Sequence, residues 1–239
     1  MLKGYKRYLV LFSMLVIPFV IWKCTGKPES STDPKIVAGQ QQSFPDFSEV
    51  DTSDVYVYNC KDSLQFTVYV TRDNTWLFLP DTTVRLDPVR SGSGAKYQEG
   101  SYIYWSKGNE ALLQIPNQSL RKCKLVPREK SWGAAKIRGV DFRALGQEPG
   151  WLLEIINGRH IEYVGNYGRD TVQVPATEPD LNRQDGTIIY DAQTEGHHLK
   201  VEIKKEPCTD AMSGFQFPNT VSVIVDGKAY QGCGKSLNR

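Results

Sequence analysis

Val55-Tyr-Val-Tyr-Asn-Cys60, then after a short turn Leu64-Gln-Phe-Thr-Val-Tyr-Val70, is the stretch that decides the fold class. β-Branched and aromatic residues alternate with their neighbours at a period of two, the period of a strand that buries one face. The same style returns in Trp76-Leu-Phe-Leu79 and Ala111-Leu-Leu-Gln-Ile115, bounded by Asp-Asn, Pro-Asp or Lys-Gly turns. Farther along come Trp151-Leu-Leu-Glu-Ile-Ile156, His160-Ile-Glu-Tyr-Val164, Gly186-Thr-Ile-Ile-Tyr190 and Leu199-Lys-Val-Glu-Ile203. Thr220-Val-Ser-Val-Ile-Val225 completes the set, followed by an Asp226-Gly227 turn. No amphipathic helix of a dozen residues is expected after residue 25. Short strands at near-regular spacing predict an all-β protein, with two small antiparallel β-barrel-like domains whose closure removes exposed edges.

Composition shifts mark the boundaries. The chain is 40% hydrophobic and 23% charged, which is ordinary for a globular protein. Residues 25–53 are rich in Pro, Ser, Gln and Asp without periodicity and read as a flexible linker. A second shift at Val126-Pro-Arg-Glu-Lys-Ser-Trp-Gly separates one strand-rich domain, 54–125, from another, 139–239, with 126–138 as linker. A net charge of +2 offers no broad basic field, so nucleic acid is excluded as the default partner.

Residues 1–24 carry an export or membrane signal. Lys3, Lys6 and Arg7 precede the apolar stretch from Tyr8 to Trp22, the layout of an n-region and an h-region. As helix that stretch would span roughly 22 Å, short of the roughly 30 Å hydrocarbon core, a gap that flanking lysines narrow by snorkelling. Cys24 is the candidate for lipidation, although Ile21-Trp22-Lys23 departs from the small residues expected before an acylated cysteine. No Ala-x-Ala site follows, so an uncleaved anchor is the expected form. Either reading keeps the protein on a membrane through its N-terminus.

Beyond Cys24, four cysteines remain, and in an oxidising compartment they allow three connectivities. Sequential pairing, Cys60–Cys123 and Cys208–Cys233, is the simplest, since each pair brackets its own strand-rich segment. In the loop-entropy model each bond is worth about 3 to 4 kcal/mol to a unit too small to rely on its core.

Two segments stand out chemically. Ser91-Gly-Ser-Gly-Ala-Lys-Tyr97 is a Gly/Ser loop able to bring backbone and a hydroxyl close to a partner. Tyr102-Ile-Tyr-Trp-Ser-Lys-Gly-Asn-Glu-Ala-Leu112 holds a Lys107-Gly108 turn that pushes an ammonium outward on a stiff hairpin. Alone, either would read as a solvated connection.

Together, at their separation and between Cys60 and Cys123, they resemble the membrane-bound inhibitors of c-type lysozyme. The resemblance runs over about Val55 to Lys124, with a Ser-x-Ser-Gly-x-x-Tyr loop and an aromatic-x-Lys-Gly-x-x-Ala turn. It implies an inhibitor in the bacterial cell envelope, facing the periplasm, whose partner is c-type lysozyme. Ser93 and Lys107 would meet the two catalytic carboxylates of the enzyme, with Gly94, Tyr97, Trp105 and Gly108 completing the contact. A retaining glycosidase holds one carboxyl protonated and the other ionised. An ammonium suits the ionised group and a hydroxyl either one. The resemblance also implies a basic partner, whereas the inhibitor-like segment is itself slightly positive and residues 139–239 carry ten Lys/Arg against fourteen Asp/Glu. Any long-range attraction would therefore come from the second domain.

That second domain, with Phe142-Arg-Ala-Leu-Gly-Gln-Glu-Pro-Gly-Trp151 and Cys208-Thr-Asp-Ala-Met-Ser-Gly-Phe-Gln-Phe-Pro218, resembles an uncharacterised bacterial envelope domain. Pro149-Gly150 reads as a turn before the Trp151 strand. His197-His198 reads as a solvated pair, and the cysteines are committed to disulfides, so no metal or cofactor is expected. No Ser/His/Asp signature or phosphate-cradling loop indicates an enzyme. The competing class is a non-enzymatic envelope adaptor that binds cell-wall fragments, lipid or another envelope protein.

Overall fold

The computed structural model describes residues 46–237, so the expectations for the signal or anchor, for Cys24 and for most of the first linker lie outside the described residues. Among the described residues no helix is long and apolar enough to cross a membrane.

The first eight strands are β1 (Val55–Cys60), β2 (Gln65–Val70), β3 (Thr75–Phe78), β4 (Thr83–Val89), β5 (Ala95–Glu99), β6 (Tyr102–Lys107), β7 (Glu110–Gln114) and β8 (Arg121–Leu125). Each pairs antiparallel with the next, and β8 returns to pair with β1, closing an up-and-down barrel. Alternation fills its inside: Tyr58, Phe66, Val68, Leu77, Leu86, Tyr104 and Leu113 all point inward and are buried. Tyr58 stacks on Phe66, and the two buried phenols of Tyr58 and Tyr104 are 3.0 Å apart in a hydrogen bond. Cys60 lies opposite Cys123 across the closing seam, and the two form a disulfide.

The second sheet is built from β9 (Val140–Gly146), β10 (Trp151–Ile156), β11 (His160–Gly165), β12 (Asp170–Pro175), β13 (Asp180–Asn182), β14 (Thr187–Gln193) and β15 (His198–Lys204). After a two-stranded ribbon of β16 (Cys208–Thr209) and β17 (Gln216–Phe217) come β18 (Asn219–Val225) and β19 (Lys228–Ser236). The order is β12-β11-β10-β9-β19-β18-β15-β14-β13, antiparallel throughout. The sheet curls until β12 comes against β14, enclosing Ala144, Leu153, Ile161, Val174, Leu199, Val201 and Val223. The fold is thus all-β, a closed barrel and a curled, barrel-like sheet. The second disulfide, Cys208–Cys233, ties the ribbon to β19.

Between the two, Lys130–Ile137 forms the helix α1, which packs on β1. A Cβ on Gly133 would come within 2.5 Å of Val57 Cγ2, so glycine is what allows this close approach. Ahead of β1, Phe47 stands edge-on to Tyr69, Trp76 and Phe78, and Val50 is buried with Val55, Ala134 and Ile137. This aromatic latch and α1 cover the outer wall of β1–β3 and leave the wall of β6–β8 open. On the other flank of α1, Trp132 lies under Lys235 and Arg143 and against Phe217, while Lys235 pairs with Glu129 at 2.5 Å.

Burial raises the phenol pKa values of Tyr58, Tyr104 and Tyr163 above the ordinary value. An unfolded tyrosine ionises near pH 10, but these three hold their protons while folded. Stability is therefore full below about pH 10 and falls as pH rises from there through the raised values. Spectrophotometric titration should show these phenols ionising only with unfolding. If all twelve tyrosines ionised together with the fold intact, that expectation would be wrong.

Candidate functional site

The loop after β4 and the turn after β6 meet at one end of the barrel because β5 and β6 are paired, Ala95 opposite Ser106. Gly94 has φ of +69°, and a Cβ there would sit 2.2 Å from the Ser106 carbonyl oxygen. Only glycine lets the loop lie on that carbonyl, one residue away from Lys107. Ser91 Oγ donates to the Gly94 carbonyl at 2.9 Å, closing the loop, and Trp105 Nε1 donates to the Ser93 carbonyl at 2.8 Å, tying it to β6.

Lys107 and Glu110 face each other at the end of the next hairpin, which turns through Gly108 (φ +58°) and Asn109. The Asn109 carbonyl accepts from the Leu125 amide at 2.8 Å, so the turn is pinned to the end of β8. Ser93, Gly94, Lys107 and Gly108 are exposed. Neither the Ser93 hydroxyl nor the Lys107 ammonium has a hydrogen bond or ion pair to another described residue. Both are presented by backbone that is already fixed, so little backbone ordering is lost on contact.

Ser93, Trp105 and Lys107 line one open groove of about 760 Å³ that crosses the outside of β6, β7, β8 and β1. Lys96 Nζ stands 5.7 Å from the centroid of the Trp105 ring. Tyr97 is placed differently from its companions: it faces the barrel interior and stacks on Tyr104, 6.0 Å between centroids. Its side chain does not line the groove.

The two motifs do not include the far side of the groove, where Lys61, Lys122 and Lys124 stand with Asn59. The signal was present. Cys60 and Cys123 point inward, so by period-two alternation their neighbours point out onto one surface.

Elsewhere, His197 Nδ1 meets Asp226 at 2.8 Å and His198 Nε2 meets Asp191 at 2.7 Å, all exposed. Among the described residues no three His, Cys, Asp or Glu side chains group as a metal site would need.

Gly94→Ala should strain the loop directly, since the added methyl requires an unfavourable φ and meets backbone rather than a movable side chain. A loss of about 1 to 3 kcal/mol in denaturant unfolding is expected. An unfolding midpoint equal to the parent's would show that the loop relaxes freely.

The fold and this end of it define a small antiparallel β-barrel domain with a bridged loop, a pinned turn and two unengaged polar groups. Residues 58–121, within that barrel, match the family described as membrane-bound lysozyme inhibitor of c-type lysozyme. A Pseudomonas aeruginosa protein named membrane-bound lysozyme inhibitor of C-type lysozyme is 34% identical over 105 residues, covering 42% of this chain and 80% of that protein. A Yersinia enterocolitica protein of the same name is 36% identical over 56 residues, 23% of this chain and 48% of the relative. The chain belongs to this family. No solved structure gives a significant match.

Proposed function

We propose that this protein inhibits c-type lysozyme by inserting the Ser93 loop and the Lys107–Gly108 turn into the enzyme's cleft, and so protects peptidoglycan. The observation that carries this reading is the shared position of two unengaged groups, the Ser93 hydroxyl and the Lys107 ammonium, at the edge of one groove on a braced barrel end. Family membership supports it, since the relatives are named as inhibitors.

In this mechanism Lys107 satisfies the ionised carboxylate of the enzyme, and the Ser93 hydroxyl donates to or accepts from the other carboxyl. Substrate and the attacking water are both excluded, and the enzyme's proton transfer has no acceptor in place. Gly94 and Gly108 allow the close backbone approach, and Trp105 holds the loop by its carbonyl. The protein works at the bacterial envelope on the periplasmic side, held to a membrane through its N-terminus.

The direct test is hydrolysis of bacterial cell walls by a c-type lysozyme, with and without residues 46–239, beside the Ser93→Ala/Lys107→Ala variant. Inhibition by the parent that the variant lacks is the expected result. If neither inhibits, although both are folded and oxidised, the inhibitor reading fails and an adaptor role replaces it.

A further inference from the structure

The second sheet carries a groove of its own, about 640 Å³ and open to solvent, built from none of the barrel's residues. Its floor includes the cross-strand pair Leu145 and Cys233 on β9 and β19, and the disulfide to Cys208 fastens the β16–β17 ribbon beside it as one wall. The other wall comes from two turns at one end of the sheet, β9 to β10 with Gln147 and Glu148, and β11 to β12 with Tyr167. Asp210, only 7% exposed, holds the ribbon's turn by accepting from the Ser213 amide and hydroxyl. Its other oxygen accepts from Gln147 Nε2 at 3.4 Å, which joins the two walls. The groove is thus shaped before anything enters it.

Tyr167 stands on the rim in a costly backbone state. Its φ of +58° and ψ of +38° are left-handed, a conformation that an aromatic residue adopts only at an expense, and its amide donates to the Gly150 carbonyl at 3.2 Å. The residue is nevertheless 77% exposed, so no burial offsets that expense. Gly150 makes the seat: a Cβ there would fall 3.0 Å from Tyr167 Cε1, so the ring lodges against bare backbone and leaves the rest of its surface open.

The polar groups around the ring are of mixed kind. The Glu148 carboxylate, the Thr209 hydroxyl, the Tyr167 phenol and the carbonyl oxygens of Gln147 and Gln231 have no hydrogen bond to another described side chain. Among the described residues no lysine or arginine lines the groove. An anion would find no countercharge here and would meet Glu148. A lysine side chain from a partner would satisfy Glu148 but would leave the O–H donors of Thr209 and Tyr167 without an acceptor. A sugar serves both kinds, since each of its hydroxyls donates and accepts, and the C–H face of its ring packs on an exposed aromatic.

We propose that this groove binds a neutral oligosaccharide, with Tyr167 as the stacking platform and Glu148, Gln147, Thr209 and Gln231 as the groups that bind hydroxyls. The site is independent of the inhibitor reading, because Ser93 and Lys107 take no part in it.

The test titrates the full chain, in a detergent without a sugar headgroup, with tetra-N-acetylchitotetraose and separately with maltotetraose, and reads binding from the ligand's NMR signals. Saturable binding of at least one, with a dissociation constant of about 1 mM or tighter, is expected. Preference for the N-acetylated sugar identifies a wall-type glycan as the source and preference for the glucose oligomer a different one; either supports the proposal. Tyr167→Ala should weaken binding at least about tenfold, whereas Tyr167→Phe, which keeps the ring, should stay within about threefold of the parent. Glu148→Ala/Thr209→Ala, one change on each wall, should also weaken it about tenfold and gives the same reading without touching the strained turn. Equal unfolding midpoints establish that the fold is kept. Binding of neither sugar, or parent-like binding by both Tyr167→Ala and the double variant, overturns the proposal. Binding of lysine amide but of neither sugar overturns it in favour of a basic partner. In every case lysozyme inhibition by Tyr167→Ala should equal the parent's, so the two readings stand or fall apart.

Discussion

Lys107→Ala is expected to weaken lysozyme inhibition by about 30-fold or more, the equivalent of ~2 kcal/mol, with the barrel still folded. The size follows from what is left behind. In the complex the ammonium would be the countercharge of a carboxylate removed from water, and truncation strands that carboxylate without a partner. Little stability should be lost, because the Lys107 ammonium holds nothing inside its own chain and the turn is carried by Gly108 and by the Asn109–Leu125 bond. Ser93→Ala should cost less, about tenfold, since one hydroxyl is removed and the loop stays braced through the Ser93 carbonyl. Inhibition constants and unfolding midpoints measured on the same preparations check both. A Lys107→Ala protein inhibiting as the parent does would refute this role for the turn.

The second large effect concerns the barrel seam. Cys60→Ala/Cys123→Ala should lower stability by about 4 kcal/mol, because the bond closes a loop between residues 63 apart in sequence. Removing Cys208–Cys233, whose residues are 25 apart, should cost nearer 3 kcal/mol. Loss of the first bond also reaches the groove, since Asn59, Lys61, Lys122 and Lys124 take their direction from the paired strands that it joins. Guanidinium unfolding of each double variant provides the comparison. Coincident transitions for parent and Cys60→Ala/Cys123→Ala would show that strand pairing alone closes the barrel.

Strands that bury one face were plain in the sequence. β1, β2, β10, β11, β15 and β18 carry β-branched and aromatic residues on alternate positions, and they stand within a residue or so of where that alternation puts them. What escaped lacked that contrast. In β4, Asp87, Pro88 and Val89 are all exposed, so the second half of the strand has no buried face to betray it. β19 has glycines on the face turned to β9: a Cβ on Gly232 or Gly234 would fall 2.1 Å from the Leu145 carbonyl oxygen or 2.8 Å from that of Arg143. α1 hid in a stretch with the composition of a linker: Trp132, Gly133, Ala134, Ala135 and Ile137 are buried on both flanks, which erases the polar stripe that normally announces a helix. The motif residues Ser93, Trp105 and Lys107 were legible and share one groove. The inward turn of Tyr97 and the lysine wall depend on which strands close the barrel, and that pairing is decided by contacts far apart in the chain.

The latch formed by Phe47 and Val50 has a mechanical meaning. Tension arriving from the amino-terminal side meets Phe47, seated among Tyr69, Trp76 and Phe78, before it can reach β1. That strand is the one whose far end supplies Asn59, Cys60 and Lys61 to the groove. A pull between a bound partner and the amino-terminal side would thus load the aromatic clasp on the opposite wall before β1, and the strand that ends in the groove would keep its pairing until the clasp gave way.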